Sequence, residues 1–199
     1  KGDKVLVFSR DSRATTNFFQ IISNCLEPDS GSFNWGITTS QSYLPLDNSE
    51  FFNKDINLVE WLREYANTEE EREEVYLRGF LGKMIFSGDE ALKKCNVLSG
   101  GEKVRCMISK MMMKKGNVLI LDEPTNHLDL ESITAFNNSL KNFKGTILLS
   151  THDHEFAQTI ANRIIELGPS GIIDRYMSFE EYMKDSKIKQ LRESMLEIT

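Results

Sequence analysis

Asp122 and Glu123 stand side by side at the end of the apolar run "NVLILDEP". Two adjacent carboxylates at the end of a buried strand have separable uses. One can hold Mg2+, directly or through water; the other can position or polarise a water beside a phosphate. His152 closes a second apolar run, "TILLSTH", and from the end of a neighbouring strand its ring can hydrogen-bond a terminal phosphate. His154 falls one position into the following helix and reads as structural.

A further cluster lies in "LSGGEKVR", residues 98–105. Ser99 and Glu102 have the S-x-x-E spacing of a capping box, and Gly100 and Gly101 fall in the first turn behind the cap. Glycine costs roughly 1 kcal/mol relative to alanine inside a helix, so a pair of them implies that something approaches the backbone closely. The exposed N–H groups and the dipole make such a terminus a ready anion site. An ordinary capped helix has the same spelling, and the motif taken alone leaves both readings open.

The stretch "SRDSRATT", residues 9–16, sits between the apolar run Val5–Phe8 and the helical "TTNFFQII". A phosphate-binding loop belongs in that place, written G-x-x-x-x-G-K-[ST]. This stretch has neither glycine nor lysine.

Short branched runs at Val5–Phe8, Val118–Leu121, Thr146–Leu149 and Ile164–Leu167 read as buried strands. Between them, residues 99–114 place Val104, Met107, Ile108, Met111 and Met112 at helical spacing, and residues 130–143 do so with Ile133, Phe136, Leu140 and Phe143. Strands alternating with helices predict an α/β fold with a mainly parallel sheet covered on both faces. Residues 47–97 break the alternation. "NLVEWLREY" and "EEVYLRGFLGKMIF" are both helical, the second with Leu77, Phe80, Leu81, Met84 and Ile85 on one face, behind a capping box of Thr68 and Glu71. The acidic run Glu69–Glu74 reads as a solvated first turn favoured by the helix dipole. The expected organisation is one domain over 1–199: an α/β core of 1–46 and 98–175, an inserted helical subdomain at 47–97, and a helical tail at 176–199.

Composition adds limits. The 40% hydrophobic and 27% charged residues are ordinary for a soluble globular protein. No apolar stretch approaches the ~20 residues of a membrane span, and no signal peptide is visible. The net charge of −6 disfavours a nonspecific grip on nucleic acid. Cys25, Cys95 and Cys106 lack metal-ligand spacing and are expected to be buried free thiols in a reducing, cytoplasmic setting. The chain opens Lys-Gly-Asp-Lys with no initiator Met, so a fragment with its upstream part missing is expected.

Taken in order, the Gly-Gly helix, the acidic strand end and the His strand end resemble the P-loop NTPase-like nucleotide-binding domain of ABC ATPases, over nearly the whole chain. The pair "LSGGE" and "LILDEPTNHLD" carries the resemblance. It implies that Ser99, Gly100, Gly101 and Glu102 are the signature motif facing a partner's ATP, and that Asp122 is the Walker B aspartate. It also implies that Glu123 is the catalytic glutamate, His152 the switch histidine and Asp129 part of the D-loop. Such domains pair head to tail, in one chain or as a dimer, and hydrolyse ATP with Mg2+. Asn126-His127 is similar to the form found in ABC-F proteins, which have no membrane part and many of which act on the ribosome in translation; "SFEEYM" resembles the close of their second domain. The alternatives are a non-hydrolysing half that only completes its partner's site, and a nucleotide-binding subunit of a transporter.

Two departures bear on that resemblance. Aligned to the family's phosphate loop, Ser9, Ser12 and Ala14 replace glycines, Thr15 replaces the lysine, and Thr16 keeps the Mg2+-binding hydroxyl. Losing the lysine removes a charge-assisted contact of roughly 1.5–3 kcal/mol. Any side chain forced into a left-handed conformation adds ~1–2 kcal/mol. Arg10 and Arg13 bring charge, but neither occupies the lysine's place, so whether residues 9–16 hold ATP is open. The family's Q-loop glutamine aligns with Leu46, while Gln41 lies five residues earlier.

Overall fold

The structure, a computed structural model, describes residues 2–196. Lys1 and residues 197–199, counted above with the core and the tail, lie outside the described residues. By contact the chain divides into two compact units.

The first unit comprises Lys1–Pro45, Asn117–Pro124 and Phe143–Thr199 and holds a six-stranded sheet. Its strands are β1 (Lys4–Ser9), β2 (Gln41–Leu44), β3 (Val118–Asp122), β4 (Thr146–Ser150), β5 (Arg163–Gly168) and β6 (Gly171–Arg175). The order is β2-β3-β4-β1-β5-β6, parallel throughout except for the antiparallel β5–β6 hairpin. All five residues of β3 are buried, as expected of a strand covered on both faces. Helix α1 (Ser12–Ile22) packs Phe19 into a core of Val5, Val7, Val118 and Ile120. The order puts the carboxyl ends of β3, β4 and β1 next to one another, the edge at which open α/β sheets bind ligands.

The second unit, Leu46–Gly116 and Thr125–Asn142, is helical. It contains α2 (Leu58–Arg63), α3 (Glu69–Arg72), α4 (Glu74–Lys83), α5 (Gly100–Lys114) and α6 (Leu130–Lys141). The expected organisation grouped residues 98–142 with the sheet; here α5 and α6 cluster with the inserted helices. Trp61 anchors this unit, fully buried, stacked on Phe52 at 4.8 Å and donating its indole N–H to the Phe51 carbonyl at 2.7 Å.

Several local expectations are corrected. Thr68 accepts from the Glu71 N–H, but it caps the single turn of α3, and the Glu71 carboxylate turns to the Asn67 N–H instead of closing a reciprocal box. Extended backbone at Glu73 separates that turn from α4, which stops at Lys83; Ile85 then turns the chain with φ +68°. In α5, Met113 joins the buried stripe more fully than Met112. Cys25 is exposed beyond the end of α1, whereas Cys95 and Cys106 are buried. After α7 (His154–Ile160) and the hairpin, the tail forms α8 (Phe179–Lys184) and α9 (Ser186–Leu196). Buried Glu166 on β5 receives the Tyr182 hydroxyl at 2.7 Å and lies 2.7 Å from Arg192 Nε, which ties both tail helices to the sheet.

Candidate functional site

Asp122 and Ser150 are register partners at the carboxyl ends of β3 and β4. The Ser150 hydroxyl donates to Asp122 Oδ1 at 2.8 Å and accepts from the Glu123 N–H at 3.0 Å. One hydroxyl therefore fixes both acidic positions. Asp122 is 2% exposed, and its Oδ2 is buried without a hydrogen-bond partner. Burial raises its carboxyl pKa, against the hydroxyls of Ser150 and Thr16, which favour the charged form.

Glu123 has left-handed backbone, φ +48°, a strain of order 1–3 kcal/mol for a residue with a side chain. The turn takes the chain out of the strand and lets the carboxylate meet the next strand's exit. Glu123 Oε2 accepts from the His152 N–H at 3.2 Å, and His152 Nε2 lies 3.5 Å from Oε1. Burial raises the Glu123 pKa, His152 pulls it down, and the adjacent Asp122 charge pushes it up again. A carboxyl moved toward neutrality is a better proton acceptor than a solvated one. The His152 side chain is 79% exposed and so can reach a ligand beyond the strand end. Asp122, Glu123 and His152 thus form one group. Ser150, which sequence reasoning missed, links its acidic members; its only signal was a hydroxyl ending an apolar run.

Residues 9–16 are arranged differently from a loop that wraps a phosphate. Strand β1 ends at Ser9 and α1 begins at Ser12, so Ser12, Arg13, Ala14, Thr15 and Thr16 are all helical. None of them has positive φ among the described residues, so the feared left-handed strain is absent. Asp11 is the N-cap. Its carboxylate accepts from the Arg13 N–H at 3.1 Å, and the Arg13 guanidinium clasps it from the side at 3.2 and 3.1 Å. Ser9 Oγ accepts from the Asp11 N–H, and the Asp11 carbonyl accepts from the Ala14 N–H. Thr15, at the lysine position, is buried with its hydroxyl unpartnered.

In the helical unit, Ser99 caps α5 with a complete capping box. Its hydroxyl accepts from the Glu102 N–H at 3.3 Å, and its N–H donates to Glu102 Oε2 at 2.8 Å. Lys93 holds the other Glu102 oxygen at 2.5 Å. The box uses the first and fourth N–H groups and leaves those of Gly100 and Gly101, which no described residue accepts from. The glycine pair has its explanation beside it. A Cβ on Gly101 would lie 2.3 Å from the His127 carbonyl oxygen, and one on Gly100 would touch the His127 ring at 3.4 Å. His127 itself has left-handed φ, +66°. It is a second missed residue, visible in the sequence only as part of "TNHLD". Asp129 caps α6, accepting from the Ser132 N–H at 2.7 Å, and this holds its carboxyl below the usual range.

Gln41 begins β2 opposite Val118, at the end of the strand pair remote from Asp122, and cannot take the Q-loop role. Leu46 lies two residues past β2 with an apolar, half-exposed side chain. The MgATP implied by the resemblance can be tested against these groups. The partnerless Asp122 Oδ2 and the nearby Thr16 hydroxyl suit Mg2+, which takes one or two protein oxygens and fills its remaining positions with water and phosphate. The start of α1 does not suit a triphosphate, because its N–H groups are spent on the chain's own oxygens.

A sequence model described as ABC transporter matches residues 15–126. The chain is 57% identical over 191 residues to YkpA of Bacillus subtilis (strain 168), an uncharacterized ABC transporter ATP-binding protein, covering 96% of this chain and 35% of that protein. It is 36% identical over 188 residues to YbiT of Escherichia coli O157:H7, a probable ATP-binding protein, covering 94% and 35%. To the energy-dependent translational throttle protein EttA of Escherichia coli (strain K12) it is 30% identical over 193 residues, covering 92% and 34%. The chain spans about a third of the length of these relatives. Among solved structures, an inward-facing putative metal-chelate type ABC transporter superposes with TM-score 0.74 at 17% identity, covering 96% of this chain and 77% of that one. An archaeal ribosome recycling factor, solved with a ribosomal stalk protein, gives 0.72 at 20%, covering 100% and 44%. No helix among the described residues is long and apolar enough to cross a membrane. The α/β architecture, the motif order and the family match together place the chain in the ABC transporter family, as an ATP-binding ABC domain.

Proposed function

We propose that this chain is one half of an ABC-F type ATPase. It pairs head to tail with a second ABC domain, in the same chain or as a dimer, and presents its signature motif to the ATP held by that partner. The observation that carries this reading is the exposed start of α5. The capping box rigidifies it and leaves two adjacent glycine N–H groups unspent, aligned with the dipole of a 15-residue helix. The Ser99 hydroxyl accepts from Glu102 and still has its own proton to donate to a phosphate oxygen. Glu102 is positioning, its charge committed to the cap and to Lys93.

On the chain's own sheet, Asp122 and Thr16 would hold Mg2+, which acts as a Lewis acid on phosphoryl oxygens when bound. Glu123 accepts the proton of a water and His152 steadies a terminal phosphate. The mutual tie of Glu123 and His152 favours a second reading, in which this domain also hydrolyses ATP at its own strand ends. The phosphate loop is degenerate in either reading. A cytoplasmic, ribosome-associated role rests on the Asn126-His127 spelling and on the similarity to EttA, a translational throttle by name.

Ser99→Arg in the full-length paired protein fills the space in front of those N–H groups. Steady-state ATP hydrolysis is expected to fall at least about a hundredfold, with ribosome co-sedimentation in a non-hydrolysable ATP analogue lost alongside it. Unchanged hydrolysis would sink the pairing. Pelleting with a membrane subunit, and never with ribosomes, would move the reading to a transporter.

A further inference from the structure

We infer that the start of α1 is closed by an internal anion: the Asp11 carboxylate occupies the position from which a phosphate loop binds phosphate, so this domain does not hold a triphosphate tightly on residues 9–16. The inference rests on the paired reading above and assigns tight nucleotide binding to one of the two sites.

The first turn of any helix offers N–H groups that lack helical partners, and an anion site is built by leaving them free. At α1 the count comes out against a ligand. The Asp11 N–H goes to Ser9 Oγ, the Arg13 N–H to Asp11 Oδ1, and the Ala14 N–H to the Asp11 carbonyl. Only two residues, Arg10 and Asp11, connect the strand to the helix, too few to curl a ring of N–H groups around a phosphate. A phosphate approaching this terminus meets a carboxylate there. The Arg13 hydrogen bonds hold that carboxyl below its usual range, so it is charged at neutral pH.

Arg13 is the cation that sequence reasoning offered in place of the lysine, and its guanidinium is already committed to Asp11 through two hydrogen bonds. Arg10 is exposed, on the two-residue turn. At α5 of the same chain, by contrast, the two glycine N–H groups in the first turn are unspent and the nearby carboxylate is turned to the cap and to Lys93. The chain therefore has one helix start open to an anion and one closed.

Asp11→Asn separates charge from structure, because asparagine caps helices as well as aspartate does. The test is equilibrium dialysis of the full-length paired protein with a non-hydrolysable, imido-linked ATP analogue and Mg2+. The parent is expected to bind one tight analogue per pair, and a second at least a hundredfold more weakly. Asp11→Asn is expected to tighten the weak site about tenfold or more while leaving the tight site and the thermal midpoint unchanged. Two equally tight sites in the parent, or a weak site indifferent to Asp11→Asn, would overturn the inference. A parent with no tight site at all leaves the closure of α1 standing and removes the pairing reading instead.

Discussion

At Gly101 the chain cannot carry even a methyl group without moving His127, because the clash is with a backbone carbonyl and no rotamer relieves it. His127 is in turn held in a left-handed conformation that costs a side-chain-bearing residue about 1–2 kcal/mol. The strain is local, beside the two N–H groups proposed to meet the partner's nucleotide. Gly101→Ala is expected to raise KM for ATP at least about tenfold in the full-length pair. Overpacking costs of ~1–3 kcal/mol would also lower the thermal midpoint by a few degrees. A variant with parental KM and midpoint would show that the close approach does no work. Ser150 is the other residue whose role emerges only in three dimensions: its hydroxyl meets Asp122 and Glu123 because β4 lies in register beside β3.

Among the elements, the central strands and α5 were legible because burial on both faces, or a single apolar stripe, forces a pattern on the sequence. The Asp122, Glu123 and His152 group was legible for the same reason, since each residue ends such a run. Strands β2 and β6 were not read: "QSYL" and "GIIDR" sit at the two edges of the sheet, where packing demands less. The capping pattern at Thr68 was read correctly as a cap but assigned to the wrong helix, because nothing in the letters announces the extended backbone at Glu73. Asp11 was overlooked because the eye looked for glycines in a loop, although Asp before an apolar helix is itself a start signal. Within α5, Lys110 lies over the rings of Phe51 and Tyr65 at 4.4 and 4.0 Å. The ring faces favour the cation, yet burial outweighs them and lowers its pKa from 10.5 to about 8. Between pH 8 and 10.5 the unfolded chain therefore binds the extra proton, and this lysine's destabilisation fades as pH rises. Lys110→Met is expected to have a higher thermal midpoint than the parent at pH 7, with the gap narrowing toward pH 10. A gap independent of pH would remove the burial argument.

For the molecule as a whole, the two units carry different halves of the chemistry. The sheet unit brings a carboxylate pair, a histidine and a Mg2+-competent oxygen to one edge, yet the helix start beside them is closed by Asp11. The helical unit carries an open, capped helix start with a sequence found where ABC domains meet their partner's ATP. Such a chain is built to complete a site more than to own one. The measurement that bears on this most directly is a structure of the full-length paired protein with Mg2+ and a non-hydrolysable ATP analogue. The expected result is a γ-phosphate within ~2.7–3.2 Å of the Ser99 hydroxyl and the glycine N–H groups, with Asp11 still capping α1. A triphosphate seated on residues 9–16, with nothing in front of Ser99, would contradict it.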